Sequence, residues 1–225
     1  MNRCNQHVPK NTYTRGDIIK QVLAILNPFT AGEAFKRVAA EEKWKIPLTI
    51  VLTAGLLSAA GVALVYDKSE GLRSTYLAKE MGVTIRDEMW SAMTVTKFIT
   101  SLLLVFLGWG MKSFAFHAIA KLFNGKPVDI SSTIRLIGYT YLPLILKGLV
   151  DVYRGLTYKL PSYEEYVSSL RTPDVLETFS DPFSIFLLWA ILLMIIAVRE
   201  QYRLSTVKAI LAVLIPYGVY WVLRL

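Results

Sequence analysis

The sequence predicts an all-α integral membrane bundle of five transmembrane helices, preceded by short amphipathic helices at the interface. Composition points there first: 54% of the 225 residues are hydrophobic and 19% charged, with a mean hydropathy of +0.43, too apolar for a wholly water-facing exterior. The apolar residues also gather in blocks. The run 46–66 holds 21 residues without a charge, enough at about 1.5 Å per residue to cross a hydrocarbon core of roughly 30 Å. Finally, Tyr66, Trp90, Tyr153, Tyr220 and Trp221 stand near the ends of such blocks, where amphipathic rings meet the headgroups.

Taken in order, residues 1–16 are polar without periodicity and are expected to be mobile. Within the first 45 residues no apolar core of a signal peptide is found, since Lys20 and Gln21 split the short run that begins at Ile18; the first span is expected to act as its own insertion signal. Cys4 is a lone cysteine with only His7 nearby, which predicts neither an internal disulfide nor a metal site. Ile18, Val22, Leu26 and Phe29 then fall at near-helical spacing until Asn27-Pro28 interrupts them. A second short helix is predicted after the break, with Thr30 and Glu33 as a capping box and Phe29 as its staple residue. Phe35, Val38 and Ala39 form its apolar face and Lys36, Arg37 and Lys43 flank it. That pattern suits an element on anionic headgroups, the alternative being a soluble helix packed on loops. Residues 1–45 are accordingly read as a cytoplasmic segment and 46–225 as the membrane domain.

The remaining spans are expected at about 98–120, 133–153, 182–198 and 209–223. Asp181-Pro182 supplies an N-cap and a first-turn proline for the fourth. Lys147 interrupts the third, which needs residues from 133 to 153 to reach across and lets Arg135 extend to the headgroups. Pro143 and Pro216 should kink their helices unless they fall in a first turn, and Gly55, Ala59, Gly108 and Gly138 should permit close helix contact. Both outer loops are about 31 residues long, enough to hold structure. In the second of them Ser162 and Glu165 make a capping box ahead of Tyr163, Tyr166, Val167 and Leu170, a short amphipathic helix expected to lie across the ends of the spans.

The net charge of +8 is spread over the connecting segments instead of forming a basic, aromatic-studded face, so no nucleic acid is expected as a partner. Lys and Arg number 14 in the N-terminal segment, second loop and fourth loop, against 9 in the other connections and tail. By the positive-inside rule the N-terminus is expected in the cytoplasm and the C-terminus outside.

Three stretches carry a family resemblance: LNPFTAGEAFKRV followed by Trp44 and Pro47, HAIAKLFNGKPVDISSTIRLIGYTYLPLIL, and LWAILLMIIAVREQYRLSTVKAILAVLIP. In this order they resemble the Yip/Yif family, five-span membrane proteins named for interaction with Ypt/Rab GTPases. The resemblance implies a cytoplasmic N-terminus, five helices, and residence in a prokaryotic plasma membrane or an internal Golgi or ER membrane. It also implies a membrane-protein or small-GTPase partner. The N-terminal segment lacks the long polar region of many eukaryotic relatives, which favours a prokaryotic relative and puts GTPase binding in doubt.

Candidate chemistry lies in a few intramembrane polar residues. Thr140, Pro143, Lys147, Asp151 and Arg154 are spaced to share one stripe of a continuous helix. A lysine at the bilayer centre costs about 2.5–3.5 kcal/mol on insertion scales, so Lys147 should either pair with Asp151 and snorkel or serve a ligand site. Lys112 lies about 13 Å of helix from the cytoplasmic end at Lys121 and shares a face with Gly108, Trp109, Ala115 and Phe116, which offers an indole to the ammonium. His117 borders that face and is expected to be a hydrogen-bonded or interfacial histidine. Together Lys112, His117, Lys147 and Asp151 make the candidate polar site, for water, an anionic lipid headgroup or an acidic partner. No H-E-x-x-H, G-x-S-x-G, P-loop or paired-cysteine motif occurs, so no catalytic residue, cofactor or metal is assigned. The sequence thus points to a non-enzymatic membrane-organising or partner-binding scaffold. The alternative is a small transporter or channel component using Lys112 and Lys147. Expected partners are the bilayer, anionic lipids among it, and a membrane protein, which includes a second copy of the chain.

Overall fold

In the computed structural model residues 15–40, 42–171 and 185–222 are described. The readings made for residues 1–14, for Asp181-Pro182 and for the side chains of Tyr220 and Trp221 lie outside them. The described residues form ten helices: α1 (Arg15–Leu26), α2 (Pro28–Ala39), α3 (Lys45–Lys68), α4 (Glu70–Glu80), α5 (Asp87–Leu122), α6 (Ile130–Tyr139), α7 (Leu142–Thr157), α8 (Tyr163–Arg171), α9 (Ile185–Tyr202) and α10 (Thr206–Val222). By length and composition α3, α5 and α9 can each cross a membrane, and the bent pair α6 and α7 can cross as one broken span. α10 is a shorter apolar helix.

The first helices start differently from the expectation. Asn27, not Thr30, caps α2, its Oδ1 accepting from the Phe29 amide at 3.1 Å, and Pro28 occupies the first turn where its missing N–H costs nothing. Thr30 then faces back to the Ala24 carbonyl at 2.7 Å, Glu33 takes an ion pair with Lys36 at 2.7 Å, and Phe29 is 98% exposed, so neither capping box nor staple forms. The local proline outcompetes the motif three residues later. Ala31, Ala34, Phe35 and Val38 are buried, and α2 packs on α9.

Glu33's carboxyl is held below its ordinary value of 4.5 by the hydrogen bond and charge of Lys36. The pair's contribution is therefore present above about pH 4.5 and fades as acid titrates Glu33 through its lowered folded value. Lys36→Met should move the Glu33 midpoint upward in a carboxyl chemical-shift titration; an unmoved midpoint would rule out the pairing.

α5 runs 36 residues, beginning at Asp87 instead of the expected 98. Its N-terminal end is held where Trp90 is buried against Tyr66, ring centroids 6.5 Å apart, while Arg73 and Lys97 lie over the Tyr66 ring at 3.9 and 5.6 Å. Burial of Trp90 against Tyr66 accounts for the extra turns. The connections that follow α3 and α7 carry helices, too, α4 in the first and α8 in the described part of the second. The Ser162 and Glu165 capping box is made reciprocally at 2.9 and 3.2 Å, and α8 rests against α4 through an edge-on Tyr76 and Tyr166 contact at 6.2 Å.

The expected third span is broken. α6 and α7 meet at 46° across Thr140 and Tyr141, because Pro143, in the first turn of α7, has no N–H for the Tyr139 carbonyl and its ring collides with it. Thr140 turns its hydroxyl to the Ile137 carbonyl at 2.7 Å and is buried at the end of α6. The continuous polar stripe from Thr140 to Arg154 does not exist.

α3 packs in parallel against α6 and α7 through glycines. A Cβ on Gly138 would lie 2.7 Å from Pro47 Cβ, on Gly148 2.6 Å from Leu57 Cβ, on Gly61 2.8 Å from the Asp151 main chain, and on Gly155 2.9 Å from Leu64 Cβ. Gly55 likewise admits Leu102 of α5 at 2.9 Å. Small residues let the backbones approach, which is where helix association in lipid finds its dispersion energy. Gly108, expected to do the same, has nothing within 4 Å of its Cβ position.

Candidate functional site

A cleft of about 270 Å³ opens between α3, α5 and α7. Lys112 and Gly108 line it from α5, Ser58 from α3, and Tyr141, Lys147 and Asp151 from the start and middle of α7. The bend at Thr140 and Tyr141 is what swings Tyr141 into this position, since α7 leaves α6 at an angle just there. The close α3 and α7 contact at Gly61 and Asp151 then fixes the height of the carboxylate. Three of the four sequence candidates, Lys112, Lys147 and Asp151, therefore share one cleft.

Lys147 donates to Asp151 Oδ2 at 2.8 Å, an i,i+4 pair with both side chains about one-fifth exposed. This is the pairing expected from spacing. Lys112 is half-buried, and its ammonium lies 5.5 Å from the centroid of the Tyr141 ring and 5.4 Å from that of Tyr217. Two ring faces replace the expected indole. Trp109 is turned away, donating its Nε1–H to the Ile134 carbonyl at 2.9 Å and so tying α5 to α6. Tyr141, Tyr217 and Ser58 were not singled out by sequence. No spacing rule joins Lys112 to Tyr217 on a helix packed beside it, and Tyr141 lay on no stripe until the helix broke.

His117 stands apart from the cleft. Its Nδ1 shares a hydrogen bond of 2.6 Å with the Tyr202 hydroxyl, which lies 2.6 Å from Thr133 Oγ1, so one phenol joins α5, α9 and α6. The junction is framed by two left-handed residues, Asn124 (φ 58°) and Arg203 (φ 53°), which end α5 and α9. Those turns bring the Lys126 amide to the Tyr202 carbonyl at 2.8 Å. Tyr202→Phe removes the hydroxyl and leaves two buried or half-buried polar partners unmet, for an expected loss of about 1–3 kcal/mol. A lowered thermal midpoint in detergent, with His117→Gln giving a smaller drop, is the measurement; equal midpoints would remove the junction from the account.

Chemically the cleft offers a paired lysine and carboxylate and a second cation held between rings, with Ser58 and Tyr141 among its lining residues. Among the described residues no group of three or more His, Cys, Asp or Glu is placed to hold a metal ion.

A family model described as "Yip1 domain" matches residues 22–223, nearly the whole chain. Comparison with curated proteins and with solved structures gave no match.

Proposed function

This chain belongs to the Yip1 domain family, and from that premise we propose that it is a non-enzymatic scaffold that organises membrane or partner proteins through its docked N-terminal helices. It is a multi-pass membrane protein of Yip type. The finer topology belongs to the same proposal: α10, whose 17 residues extend about 26 Å, serves as the fifth span, with the N-terminus cytoplasmic and the C-terminus outside. α1 and α2 then lie at the cytoplasmic headgroups, where Lys20 and Arg37 meet anionic lipid.

One observation carries the scaffold reading: an exposed apolar edge, Ile19, Leu23 and Phe29, stands on a helix pair that is itself firmly seated. The seat is specific. Ile25 and Phe35 are fully buried, the Trp189 Nε1–H donates to the Leu26 carbonyl at 3.0 Å, and Lys36 reaches Glu200 at 3.6 Å. A fixed apolar edge beside bases presents a surface to a partner without first ordering it, which lowers the entropic cost of association. Leu23→Ser with Phe29→Ser should abolish stoichiometric co-purification of membrane-protein partners while leaving the detergent-solubilised fold intact. Retention of the same partners would refute the role of this edge. Purified protein in liposomes should pass no small ions; a flux abolished by Lys112→Met would favour the transporter reading, for which the cleft is the supporting feature.

A further inference from the structure

We propose that the cleft between α3, α5 and α7 is a binding site for a phosphate oxyanion, supplied by the headgroup of an anionic phospholipid that enters from the side of the bundle. Charge within the cleft is the first argument. Lys112, Lys147 and Asp151 line it, and the Asp151 carboxylate is taken up by Lys147 at 2.8 Å, so the walls hold one cation more than anions. Lys112 has no carboxylate within ion-pair distance among the described residues, its neighbours being the faces of Tyr141 and Tyr217. Ring faces attract a cation but do not neutralise it. A cation kept inside an apolar bundle without a counter-charge is costly, and an oxyanion beside it offsets that cost directly.

Shape supplies the second argument. No atom lies within 4 Å of the Gly108 Cβ position, so the α5 wall is open beside Lys112, whose side chain projects from the next turn. Leu104 also lines the cleft and is 61% exposed, so the same wall continues onto the surface that faces acyl chains. A headgroup can enter there while its chains stay along Leu104, which a soluble anion has no use for. Ser58 and Tyr141 also line the cleft, and both carry a hydroxyl, a group able to donate to phosphate oxygens.

The test uses the full chain in nanodiscs and in detergent. Wild-type protein extracted from a bilayer of equal phosphatidylglycerol and phosphatidylcholine should retain phosphatidylglycerol preferentially in native mass spectrometry. Lys112→Met should cut that preference about tenfold and Lys112→Arg should preserve it. Gly108→Leu, whose Cβ has no neighbouring residue within 4 Å and whose longer side chain would occupy the cleft mouth, should cut it with the lysine still present, and its folding is checked by an unchanged thermal midpoint. If inorganic phosphate raises the midpoint in phosphatidylcholine nanodiscs and Lys112→Met removes the rise, the oxyanion site stands and its source is a soluble anion. Equal retention of both lipids by wild type without a phosphate effect, or an undiminished preference in both Lys112→Met and Gly108→Leu, overturns the proposal. None of these outcomes depends on the partner-binding edge of α1 and α2.

Discussion

Gly148→Leu is expected to separate α3 from α7 and to leave little folded protein. Even the first carbon of a side chain there would stand 2.6 Å from Leu57 Cβ and 3.3 Å from the Ser58 amide nitrogen, and neither a β-carbon nor a main-chain atom can rotate away. In lipid the loss is not softened by water's dislike of apolar surface, because acyl chains solvate a separated helix almost as well as a neighbour does. Overpacking typically costs 1–3 kcal/mol, and main-chain contact along a parallel helix pair places this site at about 3 kcal/mol or more. The measurement is monodisperse yield and unfolding midpoint in detergent. Gly108→Ala is the matched control, expected to be neutral or stabilising, since that position is open and alanine is the better helix former. If the two variants behaved alike, the glycine seam would not hold the bundle. The seam bears on the cleft as well, for it sets the height of Asp151, and with it Lys147, against α3.

Phe35→Ala is expected to undock α1 and α2 from the bundle. Its ring is fully buried among the residues that join α2 to α9, and such truncations cost about 3–5 kcal/mol where the site cannot collapse. Because the helix pair sits at one end of the chain, the cost should be released locally, by opening of the pair, and not as unfolding of the spans. Limited proteolysis should then cut around residues 27–45 in the variant and spare wild type, at an unchanged midpoint for the spans. Partner co-purification should fall with it. A variant that stays protected would mean that the Trp189 to Leu26 hydrogen bond and the Lys36 to Glu200 contact hold the pair without the ring.

Much of the architecture was legible because lipid imposes a simple rule, that a spanning helix must be long, apolar and self-satisfied in its hydrogen bonds. The block 46–66 became α3 nearly residue for residue, and the Ser162 and Glu165 box formed as its spacing predicted. Local rules failed where two of them competed. At the start of α2, Asn27 and Pro28 captured the helix start before Thr30 could cap it. In the third span the face shared by Thr140 and Lys147 assumed an unbroken helix, and Pro143 broke it. Gly148 and Gly155, seven residues apart on one face of α7, were a readable signal that went unused, whereas Gly108 carried the same residue type with nothing packed upon it. Glycine in a span marks permission for contact, and only the neighbour decides whether the permission is used.

The sequence by itself determined that this is an all-α membrane protein of Yip type, since length, apolarity and the order of its motifs are properties of the chain alone. It also determined the Lys147 and Asp151 pair, a contact within one helical turn. Only the tertiary structure decided that Lys112 lies between Tyr141 and Tyr217 and shares a cleft with that pair. It likewise decided that His117 belongs to a separate junction with Tyr202 and Thr133. The reason is one of range: backbone geometry fixes which residues meet three or four positions apart, but the partner across a helix interface is chosen by the packing of whole surfaces.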